Sequence, residues 1–277
     1  MRWRISFALI WLTSASLADP LTFLRSIPLK GLSGLSAIEV EHGGAAAFVL
    51  SDRGIGYRFT IIRNGNTGQL MNIQTVKLPY PERDTEGLAK SQNGTFFSYE
   101  GPGLISRDNG TAISSHPDFI RYKKNKSLEA LAAARDGTLY TLPEKPARRG
   151  APFPIYRYKN KTWDIAALLP KRGLFQPTGA DIGPKGWLYI LERAFTPLGF
   201  SSRIRRFDPN SPKPHAETLI TTKFGKHDNL EGISVWESNS GATCLTLVSD
   251  DNFRISQTSE LVEYALTESL AGEAACD

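Results

Sequence analysis

Glu86, Glu129 and Glu231 share one local setting. Each precedes Gly or Ala and then an apolar residue, in TEGL (85–88), LEAL (128–131) and LEGI (230–233). A second set of acids closes apolar, strand-like runs: Asp52 in AFVLSDR, Glu100 in TFFSYEG, Glu144 in LYTLPEK, Glu192 in LYILERA and Asp250 in LTLVSDD. Asp84, Asp181, Asp251 and Asn229 lie beside these acids. Carboxylates brought together can ligate a hard cation or act as general bases, and those left unpaired raise one another's pKa values. The donors are all oxygen. The chain holds two Cys and four His, and His42, His116, His215 and His227 show no metal-ligand spacing; His227 is the only one of the four that could lie near the acids. A Cys/His zinc site is therefore excluded, and Ca²⁺ is the suited ion. Arg53, Lys145 and Arg193 directly follow acids of the second set; they can offset its charge or hold phosphate oxygens through charge-assisted hydrogen bonds.

The spacing of these acids implies the elements that position them. Aligning LSGLSAI (32–38), TEGLAKS (85–91), LEALAAA (128–134), TGADIGP (178–184) and LEGISVW (230–236) matches Ser33, Glu86, Glu129, Thr178 and Glu231. These are separated by 53, 43, 49 and 53 residues, the length of a propeller blade. Each second-set acid follows its partner by 14 to 19 residues across a turn such as QNG or RDG, a hairpin signal. Third and fourth strands can be placed after each pair, including GTAISSH (110–116) as the fourth strand of the second blade. The fifth repeat lacks a fourth strand before the chain ends, and PLTFLRSIPL (20–29) supplies one from the N-terminal side. The expected fold is all-β, a single propeller of five blades whose last blade is closed by the N-terminal strand; six blades is the alternative, if a degenerate blade hides in the longer connections. LEALAAARD could pass for a helix, but its place in the repeat makes it a strand. Acids that recur blade after blade would form two rings at the mouth of a central channel. A repeated acid can also serve structure alone, by accepting backbone N–H groups at a strand end.

Competing chemistries lack their motifs. GLSGL around Ser33 is not a nucleophile elbow, and no P-loop or Gly-rich helix start occurs. The formal charge of +5 falls to about +3 without Arg2 and Arg4, with no basic stripe interleaved with aromatics, so nucleic acid is not an expected partner. RYKKNK (121–126) reads as a solvated loop. The start, MRWRISFALIWLTSASLADP, has a basic n-region, a short apolar core and a small-residue cleavage site, so residues 1–18 are expected to be a signal peptide and the protein periplasmic or secreted. No later segment is long and apolar enough to span a membrane, so no membrane association is expected after cleavage. Residues 19–267 would be the propeller and 268–277 a tail. In an oxidising compartment Cys244 and Cys276 are expected to pair, tying that tail to a strand. The protein is expected to be a monomer.

GLSGL, LSDRG, DTEGLA, SLEALA, DGTLYTLPEK, PTGAD, GWLYILER, NLEGISV and LVSDDNF together resemble the phytase-like propeller family described as having esterase-like activity of phytase, over residues 30–266. The resemblance implies phosphoester hydrolysis carried by recurrent Asp and Glu. By position these are Asp52, Glu86, Glu100, Glu129, Glu144, Asp181, Glu192, Glu231, Asp250 and Asp251. The R-H-G-x-R-x-P motif of the histidine-acid phytases is absent. The resulting expectation is an exported, metal-dependent phosphoester hydrolase acting on a small molecule. Glu86, Glu129, Glu231 and Asp250 would be inner ligands or general base. Asp52, Glu100, Glu144, Asp181, Glu192 and Asp251 would be further ligands to Ca²⁺, and Arg53, Lys145 and Arg193 would bind substrate. The alternatives are a non-catalytic propeller binding a ligand or partner at the channel mouth, with loops 143–154 and 195–202 as the recognition surface, and a lactonase-like sugar-ester hydrolase.

Overall fold

The computed structural model describes residues 20–101, 103–122, 128–211, 214–269 and 276–277. The expected signal peptide and most of the RYKKNK cluster lie outside these residues. The first strand, β1 (Leu21–Pro28), belongs to the last blade. Blade one comprises β2 (Leu35–Glu41), β3 (Ala46–Ser51), β4 (Ile55–Asn64) and β5 (Thr67–Lys77). Blade two has β6 (Thr85–Ser91), β7 (Gly94–Tyr99) and β8 (Ile105–Arg107). Blade three has β9 (Ala130–Ala133), β10 (Leu139–Leu142), β11 (Phe153–Lys159) and β12 (Thr162–Leu169), and blade four β13 (Gln176–Ile182), β14 (Leu188–Thr196), β15 (Gly199–Phe207) and β16 (Ala216–Thr221). Blade five has β17 (Asn229–Glu237), β18 (Thr243–Asp250) and β19 (Glu260–Leu266), completed by β1 pairing antiparallel with β19. The N-terminal strand thus seals the ring as the repeat requires.

These are five small antiparallel sheets, and their first strands make the ring. β2 packs against β6 and β17, β9 against β6 and β13, and β13 against β17. Alternating apolar residues on each blade face are buried between neighbouring blades, so the core is a set of inter-blade layers. Phe48 and Leu50 of blade one meet Phe97 and Tyr99 of blade two, and Tyr189 and Leu191 of blade four meet Leu245 and Leu247 of blade five. LEALAAARD contributes β9, confirming that position in the repeat outweighs helix propensity.

Blade two departs from expectation. GTAISSH forms a single bridge, Ser106 to Ala112, rather than a fourth strand. β8 is only three residues long, and the chain turns at Asn109-Gly110. Pro117 then starts a short 3₁₀ turn, Pro117–Arg121, which His116 caps by accepting from Asp118 N. Phe119 of that turn fills the edge instead, packing edge-on to Tyr156 and Trp163 of blade three at 5.0 and 5.1 Å.

Cys244 and Cys276 form a disulfide with Cα atoms 6.0 Å apart, and Arg25 Nη1 donates to Asp277 Oδ1 at 2.6 Å beside it. The bridge anchors the C-terminal residues to the blade that joins both ends of the chain. Cys276→Ser is expected to cost about 2–4 kcal/mol and to lower the melting temperature, measured by thermal unfolding; reductant should destabilise the parent protein and leave the variant unchanged.

Candidate active site at the channel mouth

One rule positions the site. In blades two, three and five, the residue after a first-set position pairs across the ladder with the residue two before a second-set position, and the same register in blades one and four picks out Ser36 and Arg193. The pairs are Ala37 with Leu50, Gly87 with Ser98, Ala130 with Leu142, Gly179 with Leu191 and Gly232 with Val248. Register shifts in blades one, two, four and five leave Ser36, Glu86, Thr178 and Glu231 unpaired as bulges. A bulge re-aims its side chain; Ser36 and Thr178 thereby donate to the Thr85 and Leu230 carbonyls of the neighbouring inner strands. The small residue that follows is required by the closeness of the ring. A Cβ on Gly232 would lie 2.7 Å from Ala37 Cα, and one on Gly179 would lie 2.7 Å from the Glu231 carbonyl oxygen.

The register corrects two sequence expectations. The inner-ring member of blade one is Ser36, whose hydroxyl donates to the Thr85 carbonyl of the next blade at 2.6 Å; Ser33 lies further out and donates to Asp251 Oδ2 at 2.8 Å. In blade four the outer-ring member is Arg193, not Glu192. A strand alternates faces, so a slip of one residue sends a side chain to the opposite side. Glu192 is fully buried inside its blade, where Arg203 and Arg205 donate to its carboxylate at 2.7 and 2.5 Å. It is a structural counter-ion, away from the channel.

Asp181 also does not reach the mouth. It lies three residues further along β13, where Oδ2 accepts from Val235 N at 2.6 Å and Oδ1 from Ile182 N at 2.7 Å. It pins blade four to blade five, and burial raises its pKa to about 7. His227, the one histidine that could have lain near the acids, is buried in blade five against Tyr264, with 2.7 Å between Nε2 and the hydroxyl.

The remaining acids converge. Oxygen atoms of Asp84, Glu86 and Glu100 all lie within 4.8 Å of one another. Asp84 Oδ1 is buried without a hydrogen-bond donor among the described residues, the Glu100 carboxyl lies against the Asp84 carboxyl and raises its pKa, and Glu100 N donates to the Asp84 carbonyl at 2.9 Å. An orphaned buried carboxylate oxygen in an all-oxygen cluster fits a hard cation. Asp84 stands two residues before Glu86, as Asn229 stands two before Glu231; the shared patterns DTEG and NLEG carry the signal for it. On the other side, Arg193 Nη1 donates to Asn229 Oδ1 at 2.5 Å and to Glu231 Oε1, and Asn229 Nδ2 donates to Glu231 Oε1 at 2.6 Å. Glu144 lies 3.9 Å from Arg193 and 3.0 Å from Lys145. Of the three cations expected to bind substrate, Lys145 is therefore committed to its neighbour, and Arg53 stacks 3.6 Å over the Phe253 ring; Arg193 is the innermost.

The rim is rigidly set. Asp251 accepts from Gly34 N at 3.2 Å and Phe253 N at 3.1 Å, and Asp250 accepts from Asn252 N at 2.8 Å. These bonds hold Asn252 and Phe253 at φ of 48° and 53°, a left-handed pair that costs energy for non-glycine residues. Gly34, at φ 66°, is a glycine of necessity: a Cβ there would strike the Phe253 ring at 2.4 Å and Asp52 at 2.5 Å.

Crowding and burial keep protons on this site. Burial, then Asp52 and Glu100, raise Asp84 to about 6. Burial, then Asp84 and Glu231, hold Glu86 well above the carboxylate range, and burial, then Glu86 and Glu231, do the same for Glu129. Asp250 is raised to about 7 by burial and by Glu231 and Asp52, against the Asn252 N–H. Burial also raises Asp52. Burial opposes the charge of Arg193, but Glu231, Glu129 and Glu144 outweigh it.

A carboxyl whose folded pKa is raised stabilises the fold below its unfolded pKa, and that stability is lost as pH rises through the folded value. For Asp84 the window runs from about 4 to about 6. Asp84→Asn is therefore expected to gain stability relative to the parent as pH rises across that window, checked by chemical denaturation at pH 4, 5, 6 and 7 without divalent cations. A constant difference would contradict it.

A sequence search of curated proteins finds no match. The sequence profile of the family described as Phytase-like, esterase-like activity of phytase, matches residues 30–253. Among solved structures, the chain is similar to the catalytic domain of the GH62 α-L-arabinofuranosidase of Coprinopsis cinerea, at 11% identity and a TM-score of 0.54, over 92% of this chain and 100% of that one. It is similar to an α-L-arabinofuranosidase of Podospora anserina at 10% identity and a TM-score of 0.52, over 88% and 96%. It is also similar to regucalcin, a calcium-binding protein of Agrobacterium tumefaciens, at 7% identity and a TM-score of 0.50, over 90% and 97%. At these identities the likeness is one of fold.

Proposed function

Because the chain belongs to the phytase-like family, described by its esterase-like activity of phytase, we propose that it is an exported, metal-dependent hydrolase of phosphoesters whose site is the acidic mouth of the channel. The observation that carries this reading is the oxygen cluster of Asp84, Glu86 and Glu100 with its orphaned Asp84 Oδ1. Those three residues would hold a hard cation such as Ca²⁺, which when bound supplies charge neutralisation for phosphate and a more acidic water. Export is supported by the leader-like N-terminal sequence and the disulfide.

The chain's own groups have distinct tasks. Asp84 and Glu86 must shed protons to become ligands, so cation affinity rises with pH through the Asp84 value of about 6. Arg193, fixed by Asn229 and Glu231, offers its guanidinium to a phosphate oxygen. Asp250 holds its proton to about pH 7, so near neutrality it can accept a proton from water or return one to a leaving oxygen. The ring of carboxylates repels a phosphate that arrives without a compensating cation, which makes turnover depend on metal.

Phosphate release from a panel of phosphomonoesters and phosphodiesters, with Ca²⁺, Mg²⁺ or Mn²⁺ and with chelator, tests the reading. Metal-dependent release is the expected result. No release with any of the three ions would sink it, and turnover of lactones alone would move the chemistry to another ester class.

A further inference from the structure

Beside the acidic mouth lies a cleft of about 540 Å³ that shares only Arg193 and its partner Asn229 with the phosphoester chemistry. One wall is the β14–β15 hairpin, where Phe195 and Phe200 are cross-strand partners with ring centroids 4.8 Å apart. Phe195 is 65% exposed, and Phe200 lies 6.0 Å from the Arg193 guanidinium. The other wall is the pinned loop after β18, which contributes Asn252, Arg254 and Gln257. Arg193 and Asn229 line both this cleft and the Glu231 side of the mouth.

We infer that this cleft is the leaving-group subsite, and that the substrate is the monophosphate ester of a flat, largely apolar ring. The inference rests on the phosphoester reading above. Two Phe rings form a ledge with no hydrogen-bonding group, so they recognise a ligand face by stacking and burial rather than by polar contacts. Amide groups on the facing wall suit the polar edge of such a ring. Arg193 lies between ledge and acids, so it spans the distance between ring and phosphoryl group.

The same geometry disfavours a multiply phosphorylated polyol. Its extra phosphates would enter a cleft walled by the two Phe rings and Asp228. Only Arg193 and Arg254 among the cleft residues carry positive charge.

Calorimetry with Ca²⁺ present tests this on two matched pairs, phenylphosphonate against methylphosphonate and AMP against ribose 5-phosphate, with benzamide as a ring lacking phosphorus. A ring-bearing member is expected to bind about tenfold tighter than its partner, and Phe195→Ala and Phe200→Leu should each remove most of that preference. The pair that shows it distinguishes an aryl ester from a nucleotide. If benzamide binds with the same dependence on Phe195 while no phosphorus ligand binds, the phosphoester reading fails and the aromatic cleft stands as a ring site. If no ring-bearing probe binds better than its ringless partner and benzamide does not bind, the subsite is overturned, whatever the turnover measurements give.

Discussion

Glu86→Gln is expected to fold, to bind Ca²⁺ at least about tenfold more weakly, and to release phosphate roughly 10²–10⁴-fold more slowly than the parent. Glu86 is one of three residues whose oxygens converge at the mouth. Burial and the nearby Asp84, Glu231, Glu100 and Glu144 all oppose its ionisation, so at neutral pH its charge costs stability unless a cation offsets it. Gln keeps the shape and removes that cost. The variant should therefore be more stable than the parent without metal at pH 8, and should gain less from added Ca²⁺. Thermal unfolding with and without Ca²⁺, beside calorimetric titration and phosphate release, checks all three. A purely structural Glu86 would give the reverse sign: lower stability without metal and an unchanged response to Ca²⁺.

Glu192→Ala should cost several kcal/mol of stability. Its carboxylate is the buried acceptor for both Arg203 and Arg205, with side chains 0–8% exposed. Removing one partner of a buried pair strands the other charge, at about 3–5 kcal/mol, and for a chain of this size that is a drop of roughly 10 °C. The damage should extend beyond blade four, because Arg205 Nη1 also donates to the Pro170 carbonyl at 2.9 Å, and so ties down the connection from blade three. Folded molecules that remain should keep their Ca²⁺ affinity, since Glu192 is not at the mouth. Denaturation and calcium titration on the same preparation test both halves.

The ring of five blades was legible because each blade repeats a short pattern with two physical causes. In four of the five blades a bulge re-aims the glutamate or hydroxyl residue, and the crowding of the inner strands favours the Gly or Ala after it. The outer ring was legible only to within one residue. LYILERA places an acid at the end of an apolar run, as its counterparts do, but the ladder pairs Glu192 with Pro177 and so gives the ring position to Arg193. A one-residue offset is invisible in a motif and decisive in a strand. Asp181 read as a ligand because it is an acid beside a repeat signature, whereas both of its oxygens are taken by backbone N–H groups. Asp84, which belongs to the oxygen cluster, lies before the signature and becomes significant only when the entrance of β6 is compared with that of β17. The missing fourth strand of blade two follows from Phe119, which replaces strand pairing by aromatic packing, a substitution the repeat pattern does not encode.

The proposed phosphoester chemistry depends on a cation held by Asp84, Glu86 and Glu100. The most direct measurement is a crystal structure of the protein with Mn²⁺ or Ca²⁺ and a phosphonate, read by anomalous scattering. A single strong peak bounded by oxygens of those three residues is expected, with the phosphonate between it and Arg193. Density for the phosphonate elsewhere, or a mouth in which the three carboxylates are joined only to each other and to water at saturating metal, would contradict it.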